Sequence, residues 1–158
     1  MSLNLDDEQD IYVTKGMVRA EFNFWVGVVM DKFYYGLQEK KFIGTKCSKC
    51  GKVFLPPRNR CGYCFAKAED FVDLPETGVL KNFTATNYKI TERKTRKVNK
   101  DQIVGLVQID GANNAMIVPI LNVNPEDLKI GMKVKIVWAK RIKGHPSDIA
   151  GFEPIGGA

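Results

Sequence analysis

The chain has 158 residues, 44% of them hydrophobic and 27% charged, with a formal net charge of +6 and a sequence pI of about 9.1. This composition suits an ordinary soluble protein of one or two small domains, and it excludes a membrane-spanning one, because no uninterrupted apolar run approaches the roughly 18 residues required. The positive balance favours an anionic partner, whether nucleic acid, a nucleotide cofactor or an acidic protein, without choosing among them.

Residues 1–13 hold Asp6, Asp7, Glu8 and Asp10 with little apolar content, and read as an acidic, flexible tail. Residues 14–40 read as helical. Thr14 is a suitable N-cap, and Phe24, Trp25, Val26, Val28, Val29, Met30, Phe33, Tyr34 and Leu37 recur at spacings of three and four. One long or two short helices are expected, interrupted at Gly27 or Gly36. A stretch this apolar is no free surface helix: it packs on the chain's own second domain or docks a partner protein, with Phe22, Trp25, Phe33 and Tyr34 as the docking candidates. It lacks the cationic polar face of a membrane-surface helix.

Residues 41–72 contain all four cysteines, as two Cys-x-x-Cys pairs: Cys47 and Cys50, then Cys61 and Cys64. Each pair can set two thiolates on one tight knuckle, and two facing knuckles supply the four sulfurs that Zn²⁺ takes without strain. Gly51 and Gly62 stand where knuckle turns need conformational freedom. Two disulfides would suit a secreted mini-protein, but the N-terminus has no signal-type apolar run, so reduced cysteines in the cytoplasm are expected. A redox pair normally opens a helix after a buried strand, whereas Cys61 follows the irregular Pro56-Pro57-Arg58-Asn59-Arg60. Iron bound by four thiolates is open to the same donor set. With all four positions filled by cysteine, no place is left for water or substrate, so the metal is expected to be structural. Lys41–Lys46 and Val53-Phe54-Leu55 read as ribbon strands.

Residues 73–158 turn strand-like. Strands are expected at 78–90, 103–110, 115–121, 134–138 and 149–153, with a helical turn at Asn124-Pro125-Glu126-Asp127-Leu128 between the third and fourth. Five short strands with that interruption suggest an OB-fold barrel, with Pro119 at an edge or bulge. The predicted architecture is thus mainly β with N-terminal helices, a rubredoxin-like zinc ribbon followed by a five-stranded OB-fold. The connection between the first two strands carries Lys89, Arg93, Lys94, Arg96 and Lys97. It reads either as a solvated hairpin tip or as a clamp for phosphates, whether on a nucleotide cofactor or a polynucleotide backbone.

The order of these pieces carries a resemblance. Phe33-Tyr34-Tyr35-Gly36-Leu37 ahead of Cys47, Pro56-Pro57-Arg58 between the cysteine pairs, Gly78-Val79-Leu80, Asp110-Gly111, Pro125 to Val134 and Phe152-Glu153-Pro154 together resemble the thiolase-associated zinc-ribbon/OB-fold family, long catalogued as of unknown function. The resemblance implies a non-catalytic companion of a thiolase-fold enzyme, an acetyl-CoA acetyltransferase or hydroxymethylglutaryl-CoA synthase, which bridges enzymes or helps bind the acyl-CoA. Catalysis finds little material independently. His145 is the only histidine, Ser2, Ser48 and Ser147 are the only serines, and every cysteine is committed to metal. The alternative is a nucleic-acid-binding ribbon and barrel. Phe83 and Tyr88 could stack bases, but their odd separation places them on opposite strand faces.

Overall fold

In a computed structural model of the chain, residues 16, 20–90 and 95–156 are described, except for the side chains of 87–90 and 95–101. The acidic tail and Thr14 lie outside the described residues. The expected N-terminal helices reduce to one, α1 (Val28–Gln38), and residues 20–27 form a strap without regular structure. Gly27 explains the boundary. Its φ of 84° places it outside the helical region, and β-branched Val26 just before it has little helical preference. Gly36 does not interrupt α1. Its bare backbone lies against Ile43, which a β-carbon there would meet at 2.8 Å.

Phe33, Gly36 and Leu37 form the buried face of α1, the i, i+3, i+4 stripe of a helix laid on a core. Lys32 Nζ sits 4.1 Å from the centre of the Phe71 ring, tying the outer face to the ribbon. The ribbon sheet comprises β1 (Phe42–Lys46), β2 (Val53–Phe54) and β3 (Asp70–Leu74), in the order β2-β1-β3. Thr45, fully buried in β1, donates to Arg58 O and accepts from Arg58 N, both at 2.8 Å, which fastens the proline loop to the sheet.

The remaining strands are β4 (Thr77–Ile90), β5 (Thr95–Ile109), β6 (Met116–Ile120), β7 (Lys133–Trp138) and β8 (Ile149–Pro154), closed as β4-β5-β6-β8-β7. A 3-10 turn at Pro125–Asp127 separates β6 from β7. This is the expected OB-fold barrel, and closure leaves no open edge. Pro119 pairs with Val104 of β5, while β6 meets β8 through the single parallel pair Ile120↔Phe152. That side of β6 therefore asks little of its missing N–H.

Ribbon and barrel share one core. Phe33 and Leu37 of α1, Phe42 of β1 and Leu55 join Leu80, Val107, Ile109, Val134 and Phe152 in a continuous buried cluster. The Phe42 ring lies 6.4 Å from that of Phe152 and 5.5 Å from that of Trp138. The helical segment thus packs on the chain's own second domain through Phe33 and Leu37.

A second fastening is polar. Val53 N donates to Asn113 Oδ1 at 2.8 Å, and Asn113 N to Val53 O at 2.8 Å. Leu55 N donates to Asn114 Oδ1 at 2.9 Å, and Asn114 Nδ2 to Leu55 O at 2.7 Å. The two asparagines therefore act as an extra partner strand for β2, supplied by the turn after β5. Asn114→Ala leaves a part-buried donor and acceptor of Leu55 unpaired. It is expected to cost about 2–3 kcal/mol, measured by urea denaturation, whereas Lys140→Ala on the exposed surface should change stability by less than about 0.5 kcal/mol.

The loop of the sole histidine is also built rather than bland. Asp148, 1% exposed, accepts from Lys143 N, Gly144 N and His145 N at 3.0, 2.7 and 2.9 Å. His145 caps a 3-10 turn at Pro146–Asp148, and its ring stacks 6.3 Å from that of Tyr34. Burial acts to raise the Asp148 carboxyl, but the three N–H donors, aided by His145, outweigh it and hold the group below the usual carboxylate range. A depressed folded pKa contributes stability that is present above the unfolded value and is lost as pH falls through the folded one. Asp148→Asn should lower neutral-pH stability by about 1–2 kcal/mol and flatten the loss of thermal midpoint between about pH 5 and 3, followed by circular dichroism.

Candidate metal centre and docking surfaces

The two knuckles fold by the same local bonds. Cys47 N donates to Lys52 O at 2.8 Å and Gly51 N to Cys47 O at 3.0 Å. In the second knuckle, Cys61 N donates to Ala66 O at 2.9 Å and Phe65 N to Cys61 O at 3.1 Å. Each turn brings its pair of sulfurs to one side, and the ribbon sheet sets the pairs face to face. Cys47 Sγ is 3.5 Å from Cys64 Sγ, and Cys50 Sγ is 3.5 Å from Cys61 Sγ. All four sulfurs lie within 4.8 Å of one another.

These distances exclude disulfides, whose sulfurs bond at about 2.05 Å. They fit a metal instead. Zn–S bonds of about 2.3 Å in tetrahedral geometry place the sulfurs about 3.8 Å apart. Cys47, Cys50, Cys61 and Cys64 could therefore hold one ion among them, and the donor set admits zinc or iron.

The electrostatics point the same way. Cys50 N, 3.4 Å from Cys47 Sγ, is the main cause that lowers the Cys47 thiol. Burial opposes ionisation of Cys61, yet the N–H groups of Cys64 and Tyr63 turn towards its sulfur and bring it down to about 6. Cys50 moves the other way. The Lys52 N–H favours its thiolate, but burial and the neighbouring sulfurs push it up to about 12. Four thiolates this close repel one another until a dication neutralises them.

The docking candidates separate into two groups. Phe22 and Trp25 lie on the strap and are 80% and 76% exposed, as is Phe24 at 80%. Phe33 is a correction: it is buried in the common core and presents nothing to a partner, because the helical stripe it belongs to faces the barrel. Tyr34 is half-buried, with its ring committed to His145. The strap was legible as apolar, but the end of the helical period at Gly27 decides which aromatics reach solvent.

The basic segment is partly stranded: β4 and β5 go on pairing beyond Thr86, with Tyr88↔Lys97, Lys89↔Arg96 and Ile90↔Thr95 after a break in register. Lys89, Arg96 and Lys97 lie in strands, and Arg93 and Lys94 lie outside the described residues. Phe83 is half-buried against the barrel core rather than displayed for stacking. Among the described residues, no helix is long and apolar enough to cross a membrane.

A four-cysteine ribbon joined through a shared core to a closed five-stranded barrel makes this a zinc-ribbon/OB-fold protein. Residues 36–70 match the family model of the ChsH2 rubredoxin-like zinc ribbon domain, and residues 71–139 that of the ChsH2 C-terminal OB-fold domain. A protein of Methanocaldococcus jannaschii named a DUF35 domain-containing scaffold protein is 30% identical over 107 residues, 67% of this chain and 72% of the relative. The chain belongs to the DUF35 family. A crystal structure of a DUF35 protein of unknown function from Sulfolobus solfataricus superposes with a TM-score of 0.56 at 28% identity, covering 71% of this chain and 77% of that one. The structure described as an Ltp2-ChsH2(DUF35) aldolase gives a TM-score of 0.57 at 18% identity, covering 78% and 92%.

Proposed function

We propose that this protein is a non-catalytic, cytoplasmic scaffold subunit that bridges or assists a thiolase-fold enzyme, an acetyl-CoA acetyltransferase or hydroxymethylglutaryl-CoA synthase, and helps to hold its acyl-CoA. The observation that carries the reading is the exposed aromatic strap, with Phe22, Phe24 and Trp25 standing off a rigid ribbon and barrel. Exposed rings on this scale mark a surface that a partner covers. Kinship with a relative named as a scaffold protein, and fold likeness to the DUF35 chain of an aldolase assembly, support the same role.

In this reading, Zn²⁺ at Cys47, Cys50, Cys61 and Cys64 supplies no chemistry to a substrate. It neutralises the sulfurs and fixes the two knuckles against each other. The basic hairpin, with Lys89, Arg93, Lys94, Arg96 and Lys97, would attract the phosphates of CoA by charge.

The test is affinity purification from the native cell at moderate salt with nuclease treatment, followed by mass spectrometry. A thiolase-fold enzyme in stoichiometric amount is the expected result. Recovery of nucleic-acid-processing proteins, lost on nuclease treatment, would replace the scaffold with a nucleic-acid-binding module.

A further inference from the structure

The likeness of the two knuckles isolates one residue. After Cys50 comes Gly51 with φ of 70°, a left-handed conformation that glycine adopts without steric cost. After Cys64 the same place belongs to Phe65, with φ of 59°. A bulky side chain at positive φ carries a steric cost that glycine avoids. Burial does not offset it, since Phe65 is 75% exposed. The ribbon thus holds out an apolar ring at the expense of its own fold.

The surroundings of Phe65 are cationic. Arg60 Nη1 donates to Phe65 O at 3.3 Å, and the exposed Arg58 stands 5.8 Å from the centre of the Phe54 ring. Pro57, Arg58, Asn59 and Arg60 form one wall of a cleft of about 640 Å³, and Trp25 to Met30 form the other. The cleft therefore lies between the strap, with its exposed Trp25, and the two arginines, of which Arg60 bonds to Phe65.

We infer that this cleft, with Trp25 on one side, Arg58 and Arg60 on the other and the exposed Phe65 next to it through the Arg60 bond, is a clamp for a carboxylate-rich segment of the partner enzyme. The inference rests on the scaffold reading above and specifies where and by what chemistry the enzyme is held. The rings enter apolar pockets and Arg58 and Arg60 pair with carboxylates, the aromatic and arginine composition that concentrates binding energy in protein interfaces. A nucleic-acid strand suits the knuckle less well. Stacking successive bases takes a row of open rings, whereas Tyr63 already packs 6.1 Å from Phe54 beneath Lys52 Nζ.

The experiment uses the full-length, metal-loaded protein and the thiolase-fold enzyme captured with it. Phe65→Gly should weaken binding about 30-fold or more while raising the thermal midpoint by about 2–4 °C, because strain is relieved and no buried contact is lost. Arg60→Glu should weaken binding at least about 10-fold. A lower midpoint for Phe65→Gly would make the ring part of the ribbon's own packing. Unchanged enzyme affinity in that variant would place the docking site elsewhere. Either result overturns the clamp and leaves the scaffold standing, whereas failure to capture a thiolase-fold enzyme removes both. A fluorescent single-stranded oligonucleotide titrated in parallel covers the remaining case: loss of binding confined to it would overturn the clamp in favour of nucleic acid.

Discussion

Stripping the metal with a chelator, or replacing Cys61 by Ser, should collapse the ribbon and lower the thermal midpoint of the barrel with it. The ribbon's own cluster is small: Cys47, Phe54 and Cys61, with Cys64 and Ala66 against them. Apolar burial on that scale does not offset the entropy of ordering the knuckles. Structural zinc supplies roughly 10–16 kcal/mol of apparent binding free energy in comparable small sites, so its loss exceeds what the ribbon can absorb. The effect should spread because Phe42 and Leu55, which belong to the ribbon segment, are buried in the barrel's cluster. Trp138 reports it, since its ring is 5.5 Å from Phe42. In a Trp25→Phe background, Trp138 fluorescence should change on chelation and recover on adding Zn²⁺. A barrel that melts at an unchanged temperature after chelation would show that the two modules are thermodynamically separate. Acid should act as the chelator does, because binding requires deprotonated sulfur and protons compete for it.

How much of this was legible before the structure depends on the range of the signal. The cysteine pairs and the barrel strands were, because ligand spacing is local and a strand's period of two survives in sequence. The short β3 (Asp70–Leu74) was not, since Asp70 and Asp73 flank only Phe71 and Val72 and leave no alternation to read. The Asn113-Asn114 turn was visible only as a turn. Its service to β2 links residues 59 or 60 positions apart, which no local pattern encodes. The buried face of α1 was written in its spacing, but the same spacing also implicated Phe22 and Trp25. It was Gly27 at positive φ that separated them from Phe33. Phe65 gave no signal, because its significance lies in a backbone angle.

Phe42→Ala is expected to cost about 3–5 kcal/mol, the range for emptying a fully buried aromatic site. Phe42 is 0% exposed and bridges the ribbon to Phe152 and Trp138 on two barrel strands. The cavity would therefore open at the joint between the modules rather than inside either one. Urea denaturation followed by circular dichroism should show the loss of stability. Combining Phe42→Ala with Asn114→Ala should show coupling of at least about 0.5 kcal/mol, since both residues hold the same joint. A loss below about 1 kcal/mol would mean that the rings merely touch and that the ribbon is free to move on the barrel. The consequence reaches function. A scaffold gains affinity from presenting its contacts in a fixed arrangement, because ordering then costs nothing at the moment of binding. Phe42→Ala keeps Trp25, Arg58, Arg60 and Phe65 but loosens the base from which they project. Its affinity for the partner enzyme should fall by a few-fold, less than for Phe65→Gly, and stability and affinity should decline together in Phe42→Ala but move in opposite directions in Phe65→Gly.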